Sequence, residues 1–457
     1  MNCVVIFGAV FVHLFSPLAV GARTWHITPD GSGDAPTIQA AIDLAEAGDE
    51  VLLAAGTYTW TSQGASGQSM IRMKRGVYLR GEMGAASTVV DASGGTGRVI
   101  RCVDVGAVRI EGLTITGGFP MQGPPDQFPD FPPSGGGIFS AGDSSPLISH
   151  CIVRNNRTLE SVSGAGIYAS GGTIVDCEIL DNETGFDGSG AGIIISDGLI
   201  SNCIVRGNRA FGDAAVCGGG VVLFASEIRD SSIEDNRVAG AFGADGGGIT
   251  ASGLFSRITR CMLVNNEASV VVHGVGRGGG VDARGVDCRI TDCVFLANKV
   301  TGRGESGGGG AVRVDSGSFT MVRCTLVGNI ESGGSFATGG VVFDTPGGQV
   351  ESSIVAFNEG YGCFGPGVFS CSDVFGNSSG DTICGTDLGG NFGLDPEFCA
   401  QDPAVSRSVI LQGDSPCLPG QHPQGVVCDL IGAGVVGCGS VAVEQRSWGE
   451  VKGRYRR

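Results

Sequence analysis

The chain has 457 residues, of which 82 are glycine, and 42% of all residues are hydrophobic. This apolar content excludes a disordered chain in spite of the abundant glycine. The net charge of −17 argues against nucleic acid or an anionic membrane surface as a partner.

The first segment of the chain is apolar. Residues 3–22 end in Val20-Gly21-Ala22, which places small residues where a signal peptide is cleaved. We therefore expect residues 1–22 to be a signal peptide and the protein to be secreted, extracellular or held at the cell surface. An uncleaved anchor is the alternative. Because no second apolar run is long enough to span a bilayer, the mature chain is expected to have no membrane span.

A short helix is predicted next, over residues 35–47. Ile38, Ile42 and Ala45 fall on one face of that helix. We expect this face to cover the open end of the strands that follow, since an uncovered end would expose apolar side chains and strand edges.

A repeat fills the middle of the chain. Its copies read apolar-x-x-Cys-x-apolar-x-x-Asn, with serine for cysteine in two of them, and a glycine-rich run precedes each copy. The asparagines follow one another at intervals of 26, 26, 28, 30, 32, 31 and 29 residues. A fixed period of this size predicts stacked structural units. The asparagines are Asn156, Asn182, Asn208, Asn236, Asn266, Asn298, Asn329 and Asn358.

Each copy predicts three short strands and no helix. Apolar residues two apart share one side of a strand, and the spacing of three before the cysteine implies a bend between two strands. The residues after the glycine run supply the third strand, so each copy forms one coil of a parallel β-solenoid. The repeated asparagine is expected to adopt the left-handed turn conformation and to hydrogen-bond the next asparagine. The repeated cysteines are expected to form a buried ladder of free thiols, with disulfides or a metal as the alternative.

The end of the chain is rich in cysteine. Seven cysteines lie between Cys363 and Cys438, outside the ladder. We interpret 363–438 as closing coils whose cysteines are mostly oxidised, and the odd number leaves at least one free or paired elsewhere. Residues 441–457 are predicted to be a basic tail.

These features resemble the right-handed parallel β-helix proteins of the pectin-lyase-like fold. The resemblance rests on the opening Pro36-Thr37-Ile38-Gln39-Ala40-Ala41-Ile42 and on the closing Asp429-Leu430-Ile431-Gly432-Ala433. The glycine runs and xxN turns are also similar to the repeats of polymorphic outer-membrane proteins. The resemblance implies an all-β fold over 23–440, namely a right-handed parallel β-helix with three short strands per coil and an N-terminal capping helix.

Enzymes of this fold act on acidic polysaccharides, but their sequence patterns are absent here. Neither the polygalacturonase patterns Asn-Thr-Asp and Gly-His-Gly nor the pectin methylesterase pattern Gln-Asp-Thr occurs. Beyond the predicted signal peptide the histidines are His26, His150, His273 and His422, and none has the spacing of a metal-ligand pair. We predict no cofactor and no metal site. Calcium is compatible with the acidic chain, although no calcium motif supports it.

One predicted surface is unusually apolar. The residue two positions after each glycine run is expected to face outward, and the proline-rich insertion from Phe119 to Ser134 joins this column at its first coils. Aromatic residues in a shallow groove suit sugars or a protein partner, so the candidate binding residues are Phe119, Phe128, Phe131, Phe139, Tyr168 and Ile194. The alternative is that the insertion covers the column. The full column is Phe139, Tyr168, Ile194, Val222, Thr250, Asp282, Val312 and Val342.

A second column carries charge. The residues that follow the asparagines should stack along the solenoid, and Arg157, Arg209 and Arg237 are placed there to meet acidic groups. They are also the candidate catalytic residues, and the alternative is a solvated ladder of surface charges that pair with one another. The column is Arg157, Glu183, Arg209, Arg237, Glu267, Lys299, Ile330 and Glu359.

The sequence therefore predicts a non-catalytic, adhesin-like module that binds glycan or protein. Its expected partner is a polysaccharide or a cell-surface protein. One alternative is a divergent polysaccharide lyase or glycoside hydrolase that acts on acidic polysaccharide. Another is a structural stalk.

Overall fold

The computed structural model describes residues 21–438 apart from 122–133, 160, 273, 286, 303–307 and 333–336. The expected signal peptide, the basic tail and the insertion residues Phe128 and Phe131 therefore lie outside the described residues, except that Gly21 and Ala22 are included.

Three long parallel sheets form the walls of a solenoid, and each regular coil contributes one strand to each of them. We number these sheets 1, 2 and 3. The strand that follows each glycine run belongs to sheet 3, the next strand along the chain to sheet 1, and the one after that to sheet 2. The strands of sheet 1 are Thr24–Ile27, Glu50–Leu53, Tyr78–Gly81, Ala107–Glu111, Ser145–Ser149, Gly172–Val175, Gly198–Ser201, Glu227–Arg229, Arg257–Thr259, Cys288–Thr291, Phe319–Val322, Gly348–Glu351, Val368–Ser370 and Thr386–Asp387. Those of sheet 2 are Gly56–Thr59, Thr88–Asp91, Thr114–Thr116, Ile152–Arg154, Glu178–Leu180, Ile204–Arg206, Ser232–Glu234, Met262–Val264, Val294–Leu296, Thr325–Val327, Ile354–Ala356 and Asp373–Phe375. Those of sheet 3 are Ser69–Arg72, Arg98–Val103, Ile138–Ala141, Ile167–Ala169, Ile193–Ser196, Val221–Phe224, Ile249–Ser252, Val281–Ala283, Val312–Val314, Val341–Phe343 and Cys363–Phe364.

The predicted interior columns are confirmed. Val153, Ile179 and Val205 are stacked in register on sheet 2 and are fully buried. The apolar residue three positions before each cysteine is buried in the same core, and the ladder cysteines lie beside it. Alternation along strands of only three or four residues therefore fills the solenoid with branched apolar side chains.

The asparagine ladder is also confirmed, with one correction. Each ladder asparagine is buried and hydrogen-bonds the asparagine of the next coil, but its backbone is not left-handed. The left-handed residue is the one before it, as at Asn155 with φ 53° and Asp181 with φ 51°. The left-handed residue therefore makes the bend, and the asparagine that follows it points its side-chain amide inward.

A capping helix is present and is shorter than expected. Helix α1 spans Ile38–Leu44, and the side chain of Thr37 caps it by accepting a hydrogen bond from the Ala40 amide. Ile38 and Ile42 are buried against the first strands of sheets 1 and 3. The helix thus covers the N-terminal end of the core, as predicted.

The segments between the asparagines and the glycine runs are not loose loops. They form two additional parallel sheets, with a small apolar core of alanine and valine between them. Sheet 4 consists of Glu183–Phe186, Arg209–Gly212, Arg237–Gly240, Glu267–Val270, Lys299–Thr301 and Ile330–Ser332. Sheet 5 consists of Ala215–Cys217, Gly243–Asp245 and Val275–Arg277.

The C-terminal region departs from the predicted closing coils. The solenoid continues through Thr386–Asp387, and the chain then folds back over the outer face of sheet 2. Leu411 and Ile431 pack there against Leu296 and Ile354. Helix α2, at Pro403–Ser406, begins this return, and Arg407 forms an ion pair of 3.1 Å with Glu234.

The cysteine prediction is confirmed. The ladder cysteines are free and buried, and among the described residues disulfides join cysteines of the C-terminal region only. Cys417 is the free cysteine that the odd number required. The pairs are Cys363–Cys384, Cys371–Cys428 and Cys399–Cys438.

Candidate functional site

The apolar column on sheet 3 does not face solvent as expected. Phe139 and Ile194 are 1% and 7% exposed, and Tyr168 is partly exposed while stacked on Phe139 with ring centroids 5.4 Å apart. The Arg98 guanidinium covers the Phe139 ring at 4.5 Å. A sugar therefore has no open face at Phe139, and the expectation of an outward apolar groove is wrong for Phe139 and Ile194.

The glycine runs explain this burial. Each run bends over the strand that follows it, so a Cβ atom at Gly190 would lie 2.2 Å from Cγ1 of Ile194. Gly218 has the same relation to Val222. Glycine is needed at both positions because the backbone is left-handed as well as crowded, with φ of 62° and 63°. The predicted column is also wrong at one position. The register partner of Asp282 on the next coil is Arg313, whereas the sequence alignment placed Val312 there.

The charged column lies where the sequence predicts it. Arg157, Glu183, Arg209, Arg237 and Glu267 are register partners from coil to coil. The three arginines are exposed. The Nε atoms of Arg157 and Arg237 lie 3.4 and 3.7 Å from carboxylate oxygens of Glu183 and Glu267.

A cleft of about 540 Å³ opens at the N-terminal end of this column. Its size is that of a pocket for a small ligand or for part of a longer chain. Phe119, a predicted binding residue, and Arg157, a predicted catalytic residue, line this cleft together. The remaining lining residues are Ser93, Gly94, Gly95, Gly117, Gly118, Asn155, Asp181 and Glu183.

The cleft combines one aromatic ring with several hydrogen-bonding groups. Phe119 is half-buried, while Arg157 and Asn155 are exposed. Asp181 and Glu183 add two carboxylates. An aromatic face beside donors and acceptors is the arrangement that holds a sugar ring, whose faces are apolar and whose edge carries hydroxyl groups.

Two aromatic residues outside the predicted set lie on sheet 4. Phe186 and Phe211 are register partners and are 39% and 38% exposed. They are hard to find in the sequence because they lie three residues after Glu183 but two after Arg209. The register shift between Glu183 and Phe186 absorbs the extra residue, so the alignment by glycine runs does not bring the two rings together.

A buried ionic cluster lies where sheet 5 meets sheet 3. The guanidinium of Arg284 bridges Asp245 and Asp282, and its Nε atom lies 2.5 Å from Asp282. Arg277 contacts Asp245 at 3.3 Å. Burial raises the pKa of Asp282 to about 7 despite these cations. The cluster joins residues from different coils, so no local sequence motif predicts it.

Within the described ranges, no three histidine, cysteine or acidic side chains come together in a way that could hold a metal ion. The structure also has no helix there that is long and apolar enough to cross a membrane.

A comparison with protein families agrees with this fold. Residues 75–268 match the family model described as the right handed beta helix region. This chain is a right-handed parallel β-helix. The predicted fold class is thereby confirmed, including its handedness.

One curated relative is mannuronan C5-epimerase AlgE1 of Azotobacter vinelandii, which is 39% identical over 90 residues. The match spans 19% of this chain and only 6% of the epimerase.

Solved structures also match, all at low identity and with TM-scores below 0.5. The mannuronan C-5 epimerase AlgE4 A-module of Azotobacter vinelandii is 15% identical, with 78% of this chain and 92% of that chain covered and a TM-score of 0.38. Pectate lyase Pel9A is 13% identical, with 91% and 97% covered and a TM-score of 0.39. A mannuronic acid specific polysaccharide family 6 lyase from human gut microbiota is 11% identical, with 84% and 93% covered and a TM-score of 0.40.

Proposed function

We propose that this protein is an exported β-helix that binds a saccharide chain, with the cleft at Phe119 and Arg157 as its anchoring site. The observation that carries the proposal is the composition of that cleft. It places one aromatic ring, one guanidinium, one amide and two carboxylates around a volume of about 540 Å³.

The C-terminal disulfides support export. Three bridges hold the returning segment, and such bridges persist in oxidising compartments. The epimerase relative is named for mannuronan, a polysaccharide, and this agrees with a saccharide partner.

Binding without turnover is the simpler use of these groups. The Arg157 guanidinium is held beside the Glu183 carboxylate at 3.4 Å, so it is suited to donate hydrogen bonds and less suited to accept a proton. A polysaccharide lyase or hydrolase is the second candidate. The observation that favours it is that Asp181 and Glu183 line the same cleft, because glycoside hydrolysis requires two nearby carboxyl groups.

The test is calorimetric titration with neutral and acidic oligosaccharides of the wild type, Phe119→Ala and Arg157→Gln. We expect both variants to weaken binding by at least about tenfold, a loss of roughly 1.4 kcal/mol. Arg154→Gln is the matched control, since Arg154 is exposed nearby and does not line the cleft. Equal binding by all four proteins would reject the cleft as the anchoring site. Release of unsaturated products or reducing ends by the wild type would favour the enzyme.

A further inference from the structure

The outer face of sheet 4 is built by the alternation of side chains along its strands. Ala210, Val238 and Ala268 point into the small core that sheets 4 and 5 share. The residues on either side of them point outward. Arg209, Phe211 and Arg237 are exposed, whereas Glu267 is half-buried. The face therefore presents one row of charged residues and one row that begins with aromatic rings.

The charged row is positive, although the chain carries a net charge of −17. From Arg157 to Lys299 it holds four cations and two carboxylates. Arg209 and Arg237 are direct register partners, so their Cα atoms are about 4.8 Å apart. Like charges opposite each other on parallel strands destabilise a sheet, and an anionic ligand would relieve this repulsion.

Arg209 is the residue most available for such a ligand. Arg157 and Arg237 have neighbouring carboxylates, but Arg209 has no ion-pair partner within 4.0 Å among the described residues. Its side chain is exposed to solvent.

The aromatic row lies beside the charged row. Phe186 and Phe211 are register partners on adjacent coils, and each keeps more than a third of its surface exposed. Two residues along a strand separate Arg209 from Phe211, a distance of about 6.6 Å. A sugar unit can therefore rest on a ring while its acidic group reaches the guanidinium.

This face is continuous with the cleft. Glu183 lines the cleft and is also the first residue of sheet 4, and Arg157 pairs with it. Other surfaces are less suitable, because the returning C-terminal segment covers sheet 2 from about Met262 to Ala356 and most of the outward column of sheet 3 is buried.

We infer that sheet 4 binds an acidic polysaccharide of the polyuronate class, which starts in the cleft and runs along the solenoid axis. Its carboxylates meet Arg209 and Arg237, and its sugar faces rest on Phe186 and Phe211. This inference rests on the proposed function and adds the class and direction of the ligand.

The experiment titrates short and long uronate oligosaccharides into the wild type and the Arg209→Gln/Arg237→Gln double variant. We expect the double variant to bind the long oligosaccharide at least about tenfold more weakly, with a smaller dependence on salt concentration. Thermal unfolding confirms that the variant is folded. The matched control is Arg257→Gln/Arg289→Gln, since these exposed arginines are also register partners but lie on sheet 1.

Unchanged binding in the folded double variant, or an equal loss in the control, would overturn the inference. If a neutral oligosaccharide still binds in the cleft and responds to Phe119→Ala, this inference fails while the proposed function stands. If no saccharide binds the wild type, the proposed function fails. Equally tight binding of polyglutamate would assign the face to an acidic protein and overturn the saccharide assignment.

Discussion

The side-chain amide of Asn208 donates a hydrogen bond of 2.9 Å to Oδ1 of Asn236, and the backbone amide of Asn208 donates to the same oxygen at 3.1 Å. The same double contact recurs from coil to coil between Asn156 and Asn358. Each amide also donates to a carbonyl of the preceding coil, as Asn208 does to Ile179. The ladder therefore satisfies the polar groups of a buried corner that water does not reach.

The first prediction concerns this ladder. Asn208→Asp should lower the free energy of unfolding by about 3 kcal/mol or more, because it places a charge at a fully buried position and removes an amide donor. Urea denaturation followed by circular dichroism measures the loss. Ser201→Ala, on the outer face of sheet 1, should stay within about 0.5 kcal/mol of the wild type. An Asn208→Asp variant with the same free energy of unfolding as the wild type would show that the ladder does not stabilise the corner.

Much of the fold could be predicted from the sequence because the repeat fixes it. The period of the repeat predicts the coils, and the alternation of apolar residues around each cysteine predicts the buried columns. The stacking of Arg157, Glu183, Arg209 and Arg237 also followed from the spacing alone. These features depend on local pattern, and a solenoid converts local pattern directly into contact between coils.

Other features depend on contacts that no local pattern contains. The burial of Ile194 follows from the bend at Gly190, and sheets 4 and 5 consist of strands of three or four residues rich in glycine and alanine. The cover over sheet 2 comes from a distant part of the chain, as where the Ala433 amide donates to the Thr325 hydroxyl across a separation of 108 residues. Phe128 and Phe131 stay predictions, since they lie outside the described residues.

The second prediction concerns thiol reactivity. Cys177 and Cys203 are buried, and burial raises the pKa of both thiols well above the ordinary value. Cys217 is partly exposed on sheet 5, so we expect it to be the first of the described free cysteines to react with iodoacetamide in the folded protein. Mass spectrometry of timed samples measures the order. Labelling of Cys177 before Cys217 would contradict the buried ladder.

The third prediction concerns pH. Burial raises the pKa of Asp373 from 3.8 to about 7, and the nearby Asp395 and Asp381 carboxylates act in the same direction. The folded protein therefore holds this proton more tightly than the unfolded chain, so the contribution of Asp373 to stability falls as the pH rises from about 4 to about 7. Asp373→Asn should stabilise the protein at pH 8 by on the order of a few kcal/mol relative to the wild type, and should change little at pH 4. Unfolding curves at both pH values measure this difference. A gain of equal size at pH 4 and pH 8 would rule out the titration of Asp373 as its cause.

The fourth prediction concerns the ionic cluster. Arg284→Met should destabilise the protein by about 3–5 kcal/mol, because it leaves Asp245 and Asp282 buried without the cation that bridges them. Adding Asp282→Asn should recover part of this loss, since it removes one of the uncompensated charges. The double-mutant cycle measures the coupling. Additive effects of the two substitutions would show that Arg284 and Asp282 do not act together.

The central claim is that an acidic polysaccharide lies along the outer face of sheet 4. Hydrogen–deuterium exchange with and without a saturating uronate oligosaccharide tests it most directly. We expect protection of Glu183–Phe186, Arg209–Gly212 and Arg237–Gly240 and unchanged exchange at Arg257–Thr259 on sheet 1. Protection on sheet 1 alone, or no protection of sheet 4 at saturation, would contradict the account.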